Sequence, residues 1–106
     1  MRKALVYFKD TLAGLLIDAD DHFEFHYDVE YIKNGFPISV TMPLKTDPYI
    51  SKSLHPFFDG LIVEGWLLKA AEDNWKINPN DRMSLLLLTG RDTIGAVSVE
   101  EIKDNG

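Results

Sequence analysis

The amino-acid sequence predicts an α+β domain in which a small antiparallel sheet of about five strands packs with two helices. Three observations support this fold class. Short apolar and alternating runs separated by turns fill the first half of the chain. A long apolar segment with helical spacing follows Pro56, and another apolar run lies near the C-terminus. With 106 residues, the chain is the size of one domain, to which we assign residues 1–106.

The first half of the chain contains the strand signals. Residues 4–8 and 12–17 are apolar runs at the spacing of a hairpin, and residues 36–42 predict a further strand that begins at a sheet end or edge near Pro37. Residues 22–27 alternate as a half-buried strand does, with one apolar face and one polar face. The apolar face carries Phe23, Phe25 and Tyr27, and the polar face carries His22, Glu24 and His26.

The second half contains the helix signals. Residues 43–55 indicate a loop, and residues 56–71 predict a helix with Pro56 near its first position. A shorter helix is predicted after residues 78–81 and should end near Gly90, before a returning strand at residues 94–99.

The helix predicted at residues 56–71 has two apolar sides. One side fits a sheet and carries Phe57, Phe58, Leu61, Gly65 and Leu68; the other carries Val63, Trp66, Leu67 and Ala70. A helix that is apolar nearly all round is normally buried on both sides. In a chain this short, we expect the second cover to come from another protein.

Charge and composition exclude several function classes. The net charge is −6, with 17 acidic against 11 basic side chains, which argues against direct contact with DNA or RNA. The absence of cysteine excludes disulfides and thiol chemistry and fits a reducing compartment. The apolar run near the N-terminus stops at Lys9, so we expect neither a signal peptide nor a membrane span, and a cytoplasmic location.

Six residues form the predicted partner contact. Trp66 is the expected anchor, because binding hot spots favour tryptophan, and its alternative is packing on the loop at residues 47–54 of its own chain. Asp59 is expected to favour the positive end of the helix dipole, and Glu64 to bond polar groups at the contact edge. The predicted contact residues are Asp59, Val63, Glu64, Trp66, Leu67 and Ala70.

Other polar clusters are weaker candidates. His22, Glu24 and His26 have a spacing compatible with a metal site, although an exposed polar strand face is commoner. The three aspartates at positions 18, 20 and 21 lack the remainder of a calcium-loop pattern and indicate a solvated turn. His55 is expected to make a local cap contact. No catalytic motif stands out, so we predict no enzyme, no cofactor and no metal.

Three blocks of sequence resemble one known family. They are FPISVTMPL at residues 36–44, HPFFDGLIVEGW at 55–66 and LLLLTGRDTIGAVSV at 85–99. Together they are similar to the N-terminal subdomain of HipA-type toxin kinases, in order and over nearly the whole chain. Gly60 departs from the family's usual Asn, and Ile62-Val63 from its Leu-Pro.

The resemblance implies a function. Kinase motifs are missing here, and stand-alone versions of the subdomain, called HipS, occur in three-part toxin–antitoxin systems. The implied role is an antitoxin that neutralises a HipT-like serine/threonine kinase, with a HipB-like DNA-binding protein as third component. The alternative is an accessory subunit that completes or activates the kinase fold, because both roles need the same docking face.

Overall fold

The computed structural model describes residues 1–62, 78, 80–89 and 96–102. Within these ranges there are five strands and three helices. The strands are β1 (Arg2–Phe8), β2 (Thr11–Asp18), β3 (Phe23–Tyr27), β4 (Tyr49–Ser51) and β5 (Val97–Ile102). The helices are α1 (Val29–Asn34), α2 (Pro56–Asp59) and α3 (Arg82–Thr89).

The five strands form one antiparallel sheet in the order β4-β3-β2-β1-β5. This confirms the predicted α+β class and its five-stranded sheet. Lys9 and Asp10 make the tight β1–β2 turn with positive φ angles of 48° and 68°. The last strand begins at Val97, later than predicted. No helix among the described ranges is long and apolar enough to cross a membrane.

One face of the sheet carries the core, as the alternation in β3 predicts. Phe25 is buried, with its ring centroid 4.9 Å from that of Tyr27 and 5.3 Å from that of Phe58 in α2. Gly14 lies against this cluster: a Cβ there would come within 2.7 Å of the Phe25 ring. The aromatic packing and the neighbouring backbone of β3 at His26 therefore require glycine at this position of β2.

The prediction of a strand at residues 36–42 is wrong. Only an isolated bridge between Ser39 and Met42 occurs there. Ile38 and Met42 are buried, whereas the Val40 side chain between them is 96% exposed, so the three do not share a face. The two-residue alternation in the sequence therefore does not correspond to one buried face, and the segment is a loop with Ile38 and Met42 turned inward.

Tyr27 holds this loop against the sheet. Its hydroxyl donates to the backbone oxygen of Met42 and accepts the backbone N–H of Ile38 at 3.0 Å. Burial raises the pKa of Tyr27 to about 12, so the phenol keeps its proton at neutral pH. A contact from β3 thus replaces the strand pairing that the sequence pattern suggested.

Two short elements were not predicted. α1 begins after Asp28, whose Oδ2 accepts the N–H groups of Glu30 at 3.1 Å and Tyr31 at 3.2 Å, which is a side-chain cap. β4 lies in the segment predicted as a loop and places Tyr49 opposite Phe25. Both elements are too short to show a clear hydrophobic period.

The helix predicted at residues 56–71 begins at Pro56 as expected, but α2 ends at Asp59. After it, the N–H groups of Leu61 and Ile62 bond to carbonyls three residues back, at 3.0 and 3.2 Å, which is a tighter turn than an α-helix. Gly60, a poor helix former, occupies the end of α2. Residues 63–71 lie outside the described residues.

The Tyr27 contact gives a stability prediction. We expect Tyr27→Phe to lower the free energy of unfolding by about 1–3 kcal/mol, because the buried N–H of Ile38 loses its acceptor. The matched control is Tyr7→Phe, since among the described residues the Tyr7 hydroxyl makes no hydrogen bond. It should change the free energy by less than about 0.5 kcal/mol. Urea unfolding measures both, and equal losses would contradict the role given to Tyr27.

Candidate functional site

The candidate site lies where α2 ends and α3 begins, a region that we call the α2–α3 edge and define by His55, Asp59, Asp81 and Arg82. Asp59 is the one predicted contact residue among the described residues. The other five lie outside them, as does the alternative packing of Trp66 on residues 47–54; they are Val63, Glu64, Trp66, Leu67 and Ala70. The α2–α3 edge is therefore the part of the predicted contact region that the structure describes.

His55 caps the start of α2. Its Nδ1 accepts the backbone N–H of Phe57 at 3.0 Å, which confirms the predicted cap contact. Pro56 follows at the first helical position, where its missing N–H costs nothing. Burial lowers the pKa of His55, which keeps the imidazole neutral and Nδ1 able to accept. The fully buried Phe58 ties the helix to the core.

An ion pair joins α2 to α3. The Nε of Arg82 donates to Oδ1 of Asp59 at 2.6 Å, and the two side chains are 29% and 41% exposed, respectively. The residues are 23 positions apart in the chain, so local sequence patterns give no sign of the pair. The carboxylate that was expected to favour the helix dipole of α2 thus has a cation from another helix beside it.

A second cluster fixes α3 to the sheet. Arg2 in β1 donates to Oδ2 of Asp18 at 2.6 Å, to Oδ1 of Asp81 at 3.0 Å and to Oγ of Ser84 at 2.7 Å. Asp18, predicted to be part of a solvated turn, is instead only 7% exposed and ends β2. The prediction was wrong for this residue because its cation comes from the neighbouring strand.

Asp81 serves both the cluster and the helix. Its Oδ1 accepts the backbone N–H of Ser84 at 3.2 Å, as a residue that caps a helix N-terminus does. Partial burial alone would raise the pKa of Asp81, but hydrogen bonds from Arg2 and Ser84 outweigh burial and hold this pKa below its ordinary value. The carboxylate stays charged at neutral pH, and the first turn of α3 stays attached to β1.

The polar face of β3 holds a chain of hydrogen bonds. Glu24 bonds His22 through Oε2 at 2.6 Å and His26 through Oε1 at 2.8 Å. Hydrogen bonds to Glu24 and then Asp21 raise the pKa of His22, and those from His22 and then His26 lower the pKa of Glu24. Among the described residues, no group of three or more histidine, cysteine, aspartate or glutamate side chains is placed to hold a metal ion.

A surface that sequence reasoning missed lies between the β1–β2 turn and α1. It is a groove of about 690 Å³ with an aromatic wall formed by Phe8, Tyr31 and Phe36. Phe36, between Gly35 and Pro37, is 71% exposed. No sequence pattern indicated the groove, because the patterns do not predict α1.

The cap at His55 predicts a pH effect on α2. Protonation of His55 removes the Nδ1 acceptor, and its pKa is lowered in the folded state, so this contribution to stability is present above pH ~6.5 and is lost as pH falls through the folded-state pKa. We expect His55→Asn to keep the cap and to remove this part of the pH dependence, since asparagine caps helices well.

Urea unfolding between pH 7.5 and 5 measures the effect. His55→Ala is the comparison variant: it should lose about 0.5–2 kcal/mol at pH 7.5 because it lacks an acceptor. A wild-type protein and a His55→Asn protein with the same pH profile would contradict the role of the imidazole.

Comparisons with known proteins agree with this architecture. A family model described as the HipA N-terminal domain matches residues 4–100. An uncharacterized protein of Haemophilus influenzae strain Rd is 32% identical over 103 residues, which cover 97% of this chain and 95% of the relative.

Two solved structures resemble the fold. The N-terminal domain of HipA toxin has a TM-score of 0.79 and 28% identity, over 99% of this chain and 96% of that one. The second is from a complex of HipA and HipB of Shewanella oneidensis MR-1 with operator DNA. It has a TM-score of 0.72 and 25% identity, over 97% of this chain and 24% of that one. The chain therefore belongs to the HipA N-terminal domain family, as its three sequence blocks indicated.

Proposed function

We propose that this protein is an antitoxin that binds a HipT-like serine/threonine kinase toxin and neutralises it by direct contact. The observation that carries the proposal is the extent of the family match. Residues 4–100 match the HipA N-terminal domain, and this chain covers 95% of its Haemophilus influenzae relative. The family thus includes a protein scarcely larger than this domain, whereas the matched Shewanella oneidensis chain is about four times as long.

The docking face of the proposed complex is the second apolar side of the segment after α2. Trp66 is its anchor, with Val63, Leu67 and Ala70 beside it. A buried indole removes about 150–250 Å² from water, which at ~25 cal/mol per Å² amounts to a few kcal/mol before binding costs. Inserted near the active-site cleft of the kinase, the indole would obstruct substrate or hold the lobes in an unproductive arrangement.

The described residues support this proposal by giving the docking segment a rigid base. Phe58 is fully buried, His55 caps α2, and Arg82 pairs with Asp59 at the last residue of the helix. A segment that leaves from a fixed point loses less conformational freedom when it binds, which favours affinity.

The toxin context suggests a further partner. The HipA structure from Shewanella oneidensis was solved with HipB and operator DNA. We place this chain in a ternary complex with the kinase and a HipB-like protein, in the cytoplasm, with DNA contacts left to the latter. The excess of 17 acidic over 11 basic side chains supports that division, because phosphate contacts need lysine and arginine. In this role the chain needs no cofactor and catalyses no reaction.

The alternative function is an accessory subunit that activates the kinase. It rests on the same similarity, because a domain that resembles part of a HipA toxin could complete a kinase that lacks it. Antitoxin and activator differ in the sign of their effect on phosphorylation.

A kinase assay tests the proposal. A HipT-like kinase from the same organism is purified alone and together with this protein, and autophosphorylation and substrate phosphorylation are measured. We expect inhibition that becomes complete near one equivalent of this chain. Stimulation would favour the accessory subunit, and no effect with no co-purification would exclude both roles.

The predicted anchor gives a sharper test. Trp66→Ala should weaken binding to the kinase by about 30-fold or more, the loss typical of a hot-spot residue of about 2 kcal/mol. Val40→Ala removes a fully solvent-exposed side chain on another loop and serves as the control. Titration calorimetry gives both dissociation constants. A Trp66→Ala protein that binds and inhibits as the wild type does would reject the predicted anchor.

A further inference from the structure

The ion pair between Asp59 and Arg82 sits at the point where the chain leaves α2. Asp59 is the last residue of that helix, and Val63, the next predicted contact residue, follows four positions later. Because the Nε of Arg82 donates to Asp59 at 2.6 Å, the side chain of α3 constrains the end of α2 from outside.

The position of Arg82 is unfavourable unless it has a partner. It is the first residue of α3, where the helix dipole disfavours a positive charge. The carboxylate of Asp59, to which the Nε of Arg82 donates, compensates for that placement. Arg82 therefore lies where its positive charge is unfavourable for α3 but can pair with the end of α2.

The end of α2 is also linked to the sheet through α3. Asp81, which precedes Arg82, bonds Arg2 of β1, and Arg2 bonds the buried Asp18 of β2. These hydrogen bonds join the sheet to the residue before α3, and its chain neighbour Arg82 joins α3 to Asp59. Gly60, directly after Asp59, offers little resistance to a change in chain direction, so these contacts supply a constraint that the local sequence lacks.

We infer that Arg82 is a positioning residue for kinase binding: it fixes Asp59, and through it the direction in which the predicted contact residues leave α2. This inference rests on the proposed function for its partner. It also changes the role predicted for Asp59, which acts through Arg82 inside the chain and not as a direct contact with the kinase.

Charge reversal separates these two roles of Asp59. The single variants Asp59→Arg and Arg82→Asp place like charges together, and the double variant restores an ion pair with exchanged partners. We expect each single variant to weaken kinase binding about tenfold and the double variant to recover most of that loss, as coupled residues do. Loss of binding in the double variant equal to that of Asp59→Arg would show a direct contact of Asp59 and overturn the inference.

A second readout does not depend on the kinase. In a Trp75→Phe background, the fluorescence emission of the isolated chain reports on Trp66 alone. We expect its maximum to shift in each single variant and to return in the double variant. Emission that is unchanged in both single variants would overturn the positioning role. If the shift and its recovery occur but the wild-type chain binds no kinase, the proposed function fails while the positioning role stands.

Two controls guard against general effects. The pair of Glu30 and Lys33, 3.1 Å apart and exposed on α1, provides the matched charge reversal Lys33→Glu, which should leave both readouts unchanged. Urea midpoints of the Arg82 and Asp59 variants should stay near that of the wild type, because partly exposed ion pairs contribute little to global stability. A large drop in the midpoint that the double variant does not recover would point to a general structural role and overturn the inference.

Discussion

The guanidinium of Arg2 makes the contacts on which the arrangement of the described elements depends. It bonds Asp18 of the next strand and Asp81, 79 positions away at the start of α3. Asp18 is almost fully buried, and a buried carboxylate without a paired cation would be strongly destabilising. By pairing with both carboxylates, Arg2 therefore joins the N-terminal strand to β2 and to the start of α3.

This constraint extends to the proposed docking region. α3 is placed by Arg2, and its first residue, Arg82, then reaches the last residue of α2. On the other side, Phe58 and the cap at His55 attach α2 to the aromatic core of the sheet. A small domain has little apolar surface to bury, so polar contacts of this kind carry much of the specificity with which its elements are arranged. The proposed kinase contact begins at a point held by both kinds of interaction.

Local sequence patterns predict most of the strands of the sheet. The apolar runs of β1 and β2, the alternation of β3 and the cap residues before α2 and α3 were read from neighbouring residues, and the structure confirms these elements. These elements are predictable because the hydrophobic pattern or cap residue that indicates each one lies within or next to that element. The three-residue β4 and the six-residue α1 were not predicted, because each spans fewer than two full hydrophobic periods and lacks a recognisable pattern.

The errors have a common cause in contacts between distant parts of the chain. Residues 36–42 alternate like a strand, but the hydroxyl of Tyr27 holds them as a loop. The sequence pattern indicates a solvated turn at Asp18, whereas the structure places the Arg2 guanidinium beside it. Of the candidate site, the sequence provided the cap at His55 and the identity of Asp59, whereas the partner of Asp59 was found only in the structure.

The sequence by itself determined the α+β class, four of the five strands and the family, because hydrophobic period, turn residues and short motifs are properties of neighbouring residues. Only the tertiary structure decided which charges are buried, where α2 ends and which residue holds Asp59. These features depend on side chains that meet across tens of positions, and no local pattern encodes which cation a carboxylate will face once the chain has folded.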